Sequence, residues 1–129
     1  QVIKIQWPDM SIPAELNASF WFRLKDYILE LGKPVYVCCI GGHCRTGTAL
    51  CILAVLLGMV PEDAKCPAEW LRSVYCKNVI ETTSQINYVE YVTGVDLLIE
   101  PSYQPVIFQG KQGSRFWSND NYTYGLYGY

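Results

Sequence analysis

The chain begins with an alternating, β-branched run, Val2-Ile3-Lys4-Ile5-Gln6, which has the two-residue period of a strand. Two prolines within "WPDMSIP" (Trp7–Pro13) end that pattern. From Ala14 the period changes. Leu16, Phe20, Leu24, Ile28 and Leu31 recur at helical spacing, and Gly32 closes the helix. Val35–Cys39 is a short apolar run that predicts a strand buried on both faces. Thr46–Met59 is apolar nearly all round, as in a buried helix. Pro61–Ala64 and Pro67–Cys76 read as shorter helices, the second with proline in its first turn. Thr82 or Thr83 caps a last helix to about Val92, with Ile86, Tyr88 (or Val89) and Val92 on one face. The order strand, helix, strand, helix predicts an α/β fold, a central mostly parallel sheet flanked by helices, over residues 1–99. Residues 100–129 lose all periodicity and turn rich in Tyr, Gly, Asn and Ser. This extension is expected to pack on the domain, because Phe108, Phe116 and Trp117 call for burial, or to serve as a contact with another chain.

Composition narrows the functional classes. Half of the 129 residues are apolar and 17% are charged, which is a globular balance sufficient for one domain. A net charge of −2 and a pI near 5.3 give no electrostatic basis for nucleic-acid binding. The longest uncharged apolar stretch, Ala49–Pro61, is too short to span a bilayer, and no secretory signal pattern is present. Six cysteines cluster in a way that suits no disulfide framework and fits a reducing cytoplasm instead. With no Cys-x-x-Cys pair and a single histidine, no metal or other cofactor is expected.

The chemistry concentrates in "PVYVCCIGGHCRTGTAL" (Pro34–Leu50), where the second strand hands over to the buried helix. A glycine-bearing turn at that junction aims backbone N–H groups at one point, and the helix dipole adds partial positive charge. A cysteine at its mouth is favoured as thiolate, a nucleophile at neutral pH. An arginine opening the helix offers a planar fork to two phosphate oxygens. Cys39 and Arg45 stand in those two places, as Cys39-Ile-Gly-Gly-His-Cys-Arg45. Cys-x5-Arg alone is a weak signal, and the chain holds a second copy, Cys66 to Arg72, without glycine and in helical sequence. A nucleotide-binding P-loop is excluded because Thr48 replaces the lysine it requires.

The stretch resembles the signature of the cysteine-dependent protein tyrosine and dual-specificity phosphatases, H-C-x-x-G-x-x-R-[ST]-G. Cys39, Gly42, Arg45, Thr46 and Gly47 match, while Cys38 stands where the family usually has His. "WPD" at Trp7–Asp9 is similar to the family's general-acid loop, and "VIETTSQ" (Val79–Gln85) is similar to the I-E-T-x-x-Q segment of compact dual-specificity enzymes. The resemblance covers roughly Val2–Val92. It implies Cys39 as nucleophile, with Arg45 and the N–H groups from Ile40 through Gly41, Gly42, His43 and Cys44 holding the phosphoryl group. It further implies Asp9 as general acid and base, Thr46 as hydrogen-bond donor to the departing sulfur, and Gln85 as the residue that orients the hydrolytic water. The implied substrate is a phosphorylated protein or another phosphomonoester.

Two departures qualify the implied picture. Cys38 removes a histidine that shapes the loop, and the sequence begins at the strand before the acid loop, so the family's preceding strands and helix are expected either to lie outside it or to be dispensed with in a shortened fold. The alternative reading is a pseudophosphatase, a phosphate-binding or structural partner protein without turnover. Intact Asp9, Cys39 and Arg45 favour the enzyme. Cys38 and Cys44 read as packing residues, and either is near enough in sequence to Cys39 to be its resolving thiol on oxidation.

Overall fold

The computed structural model describes residues 2–40 and 44–102, and within them the regular structure is four helices. α1 (Ala18–Leu31) begins at Asn17, whose side chain accepts the Phe20 N–H at 3.2 Å. Pro13 closes a turn with the Leu16 N–H just before it, so the helix starts four residues later than Ala14. It ends at Gly32, which takes the left-handed conformation (φ 62°) open to glycine.

α2 (Cys44–Leu56) is the central element and is buried along most of its length. It starts two residues before Thr46. It ends before Met59 because Gly58 (φ 70°) reverses the chain, with Gly58 N–H bonding to Val55 and Met59 N–H to Ala54. α1, α3 and α4 all pack against it. α3 (Pro67–Val74) is capped by the Cys66 thiol, which accepts the Glu69 N–H at 3.2 Å. The second Cys-x5-Arg copy is thus a helix and its cap. Pro61–Ala64 is a single turn rather than a helix. α4 (Thr83–Thr93) carries a capping box: the Thr82 side chain accepts the Gln85 N–H, and the Gln85 side chain accepts the Thr82 N–H.

The expected α/β fold with a central parallel sheet is corrected by this structure. No strand forms among the described residues. Val2–Gln6 and Val35–Cys39 run without regular structure, and the second is not buried on both faces, with Tyr36 92% and Val35 44% exposed. The reason is physical. Alternation and β-branching state which conformation a segment prefers, but a strand exists only when a neighbour accepts and donates its ladder hydrogen bonds. These two segments do not pair with each other.

The core is built from helix faces and two tryptophans. Trp21 is fully buried, donates its indole N–H to the Tyr88 hydroxyl at 2.7 Å, and meets Trp7 edge-to-face at 6.3 Å. Tyr88 in turn donates to the Leu16 carbonyl at 2.8 Å, tying α4 to the turn before α1. Residues 95–102 return across the domain, where Leu97 is buried and its N–H is accepted by Glu90 at 2.9 Å. The aromatic positions of the extension, Phe108, Phe116 and Trp117, lie outside the described residues.

Candidate active site

Three separate parts of the chain converge at the start of α2. Cys39 is half-buried, and the Thr46 hydroxyl on the first turn of α2 donates to its sulfur at 2.9 Å. Thr46 is itself buried, so this hydrogen bond is shielded from competing water. Arg45 lies beside them. Its Nη1 donates to the Trp7 carbonyl and its Nη2 to the Ile40 carbonyl, both at 3.2 Å. The guanidinium therefore bridges the turn that carries Asp9 and the backbone that follows Cys39. Its Nε is buried without a hydrogen-bond partner, 3.5 Å from Asp9 Oδ1. That is a charge contact rather than a hydrogen bond. Asp9 is more than half exposed, so solvent screens the pair.

Asp9 sits in a tight turn whose geometry follows from local sequence. Pro8 accepts both the backbone N–H of Ser11 (3.2 Å) and its hydroxyl (2.6 Å), while Met10 takes a left-handed conformation (φ 60°). Asp9 Oδ1 accepts the Met10 N–H at 3.0 Å. Trp7 anchors the turn, with its ring buried and its indole N–H donated to the Ser11 carbonyl at 2.6 Å.

The structure thus brings Asp9, Cys39, Arg45 and Thr46 together. Ile40 contributes its carbonyl to Arg45, and Gly41, Gly42 and His43 lie outside the described residues. Cys44 is inward-facing: its sulfur accepts from Gln85 Nε2 at 2.7 Å and its thiol lies 3.8 Å from the Met10 sulfur. Burial pushes the Cys44 thiol up to about 12, opposed by the Gln85 hydrogen bond and reinforced by the charges of Glu81 and Asp9. Cys38, in the position of the family histidine, is exposed. Two open grooves, of about 390 and 460 Å³, lie along residues 12–17 and the adjoining face of α1 and α4, and neither is lined by Cys39, Arg45 or Asp9.

Several contributing residues carry no sequence signal. Ser11 acts through its carbonyl, which any residue possesses. Tyr75 lies close enough to Cys39 and Cys76 that their charges, after burial, help push its phenol up from the ordinary value. Arg72 holds the carbonyls of Val79, Ile80 and Glu100 at 2.9–3.0 Å, and so sets the path into Glu81–Gln85. Gly47 is packed so closely that an added Cβ would lie 3.0 Å from the Val79 Cα.

The buried thiols make stability depend on alkaline pH. Cys44 and Cys51 are both raised from 9.0 to about 12, chiefly by burial. The folded chain therefore keeps protons that the unfolded chain releases. Their contribution is fully present below about pH 9 and is lost progressively as the pH rises from about 9 towards about 12. Urea unfolding at about pH 8 and about pH 10 is expected to show this fall. Cys51→Ala, which removes one titrating thiol, is expected to flatten it relative to the parent chain.

Comparison with known proteins gives relatives of unstated activity. The chain is 38% identical over 85 residues to each of two proteins of Methanocaldococcus jannaschii, uncharacterized protein MJECL20 and uncharacterized protein MJ0215. The alignment takes in 65% of this chain and 54% and 50% of theirs, so the chain spans about half the length of the curated relatives it matches. No family model matches the chain. No solved structure matches it. Among the described residues, no helix is long and apolar enough to cross a membrane.

Proposed function

We propose that this domain hydrolyses phosphomonoesters through a phosphocysteine on Cys39, with a phosphorylated protein, bearing phosphotyrosine or phosphoserine/threonine, as the leading substrate class. The supporting observation is the convergence of the Cys39 sulfur, the Thr46 hydroxyl, the Arg45 guanidinium and the Asp9 carboxylate at the N-terminal end of α2. In the first step the Cys39 thiolate attacks phosphorus, forming the S–P bond as the P–O bond to the leaving group breaks. Asp9 gives its proton to that departing oxygen. Arg45 and the helix N-terminus bear the phosphoryl charge. In the second step water attacks phosphorus, Asp9 takes the water proton, and the S–P bond breaks to release inorganic phosphate and the thiolate. Thr46, already donating to the sulfur, stabilises the charge that returns to it. All six cysteines are free, which supports a reducing, cytoplasmic setting for such a thiolate.

The test is turnover of p-nitrophenyl phosphate under reductant, with acid quench and peptide mapping of the trapped protein. Turnover with a phosphate adduct on the peptide containing Cys39 is expected, and Asp9→Asn should slow release of the leaving group by about 10²-fold or more. A chain that binds vanadate but neither turns over nor forms the adduct would instead be a phosphate-binding partner protein.

A further inference from the structure

Gln85 is one of three buried polar side chains among the described residues, and all of its hydrogen-bonding capacity is used within the protein. Its Oε1 accepts the N–H groups of Glu81 (2.9 Å) and Thr82 (3.2 Å). Its Nε2 donates to the Ser11 carbonyl (3.0 Å) and to the Cys44 sulfur (2.7 Å). A side-chain amide has two donor hydrogens and two acceptor lone pairs, so nothing is left over to orient a water. What the amide joins is more informative. Ser11 closes the turn that bears Asp9, and Cys44 is the first residue of the helix that bears Arg45 and Thr46.

We infer that Gln85 is a positioning residue for proton transfer by Asp9: its amide latches the Asp9 turn to the N-terminus of α2, and so sets Asp9 relative to Cys39. This rests on the phosphatase reading and reassigns Gln85 within it. The Ser11 carbonyl is the shared hub, since it accepts from Gln85 and also from the indole of Trp7. Arg45 completes the arrangement by holding the Trp7 carbonyl at the other end of the turn. Without the Gln85 donor the turn keeps its internal hydrogen bonds and its contacts with Arg45 and Cys44, but loses its tie to α4 and the amide bridge that joins Ser11 to the start of α2. Asp9 then samples positions from which it cannot reach the leaving oxygen, a loss that matters only when that oxygen needs a proton.

The leaving group therefore separates the possibilities. The ratio kcat/KM reports steps up to departure of the leaving group, before any water is engaged. Gln85→Glu preserves an acceptor oxygen for Glu81 and Thr82 while replacing the Nε2 donor. It is expected to lower kcat/KM for phenyl phosphate about 10-fold or more. For 2,4-dinitrophenyl phosphate, whose leaving group departs unprotonated, kcat/KM should stay within about threefold. Combined with Asp9→Asn, the loss should not add. Trp7→Phe, which removes the other donor to Ser11, should show the same leaving-group dependence, and it supplies the answer if Gln85→Glu does not fold. Equal losses on both esters, or a fall in kcat with kcat/KM intact, would overturn the assignment in favour of a general structural role or a water-orienting one. Hydrolysis of neither ester by the parent chain would overturn the phosphatase reading, and this inference with it.

Discussion

Cys39→Ser is expected to remove turnover of an aryl phosphate by at least about 10⁴-fold, equivalent to about 5.5 kcal/mol of transition-state stabilisation. The serine oxygen would still accept the Thr46 hydroxyl, and the Arg45 contacts to Trp7 and Ile40 do not involve the sulfur. What is lost is the sulfur nucleophile, because an alcohol is a far weaker nucleophile toward phosphorus than a thiolate. Affinity for inorganic phosphate should therefore remain within about threefold of the parent chain by calorimetry. Arg45→Lys should behave oppositely. It keeps one positive charge but not the fork that spans two carbonyls beside the anion site, so both phosphate affinity and kcat/KM should fall, the latter by about 10²-fold or more. Persistent turnover by Cys39→Ser would remove Cys39 from the mechanism, whatever the state of the loop around it.

Arg72→Met is expected to destabilise the fold by about 2–4 kcal/mol. The carbonyls of Val79 and Ile80 belong to fully buried residues, and Arg72 donates to both at 2.9 and 3.0 Å as well as to the Glu100 carbonyl. Methionine fills similar space yet leaves the Val79 carbonyl without its donor and the Ile80 carbonyl with only the long 3.4 Å bond from the Ser102 N–H, and a buried acceptor so orphaned costs about 1–3 kcal/mol. Ile80 adds to the demand because it is a β-branched residue held at φ 60°, a conformation that persists only when its surroundings enforce it. The segment also abuts α2 where Val79 meets Gly47, one residue past Thr46. Loosening it therefore reaches the site. Circular dichroism melts should show a midpoint lowered by roughly 10–20 °C, with Arg72→Lys recovering only part of the loss. A midpoint within about 2 °C of the parent would show that water satisfies those carbonyls in its place.

The residues at the site differ in how far local sequence could announce them. Cys39, Arg45 and Thr46 stand within eight consecutive residues, and the roles proposed for them rest on a cysteine, a turn and a helix start in that order. Asp9 was legible through Trp-Pro-Asp, a short turn whose proline and whose carboxylate accepting a neighbouring N–H are local features. Gln85 was marked only by its resemblance to a family segment, and its hydrogen bonds were not legible at all. Two of its four partners, Ser11 and Cys44, lie 74 and 41 residues away in the chain. Ser11 and Arg72 act on or through backbone carbonyls, which no side-chain pattern marks.

By itself, the sequence determined that four segments are helical, to within a few residues at their ends, although it marked Pro61–Ala64 as a helix where a single turn forms. Apolar spacing, a capping asparagine and threonine, a first-turn proline and three left-handed glycines are all properties of residues a few positions apart. It also marked the cysteine, arginine and carboxylate on which the proposed thiol-based phosphoryl chemistry rests. Only the tertiary structure decided that Val2–Gln6 and Val35–Cys39 form no sheet, since pairing depends on a neighbour's backbone and not on a segment's own preference. Only the tertiary structure, too, decided that Asp9, Arg45 and Cys39 meet. That meeting goes with Trp7 burying itself against Trp21, and with Gln85 joining the Ser11 turn to Cys44 at the start of α2, contacts whose free energy exists only once the core has closed.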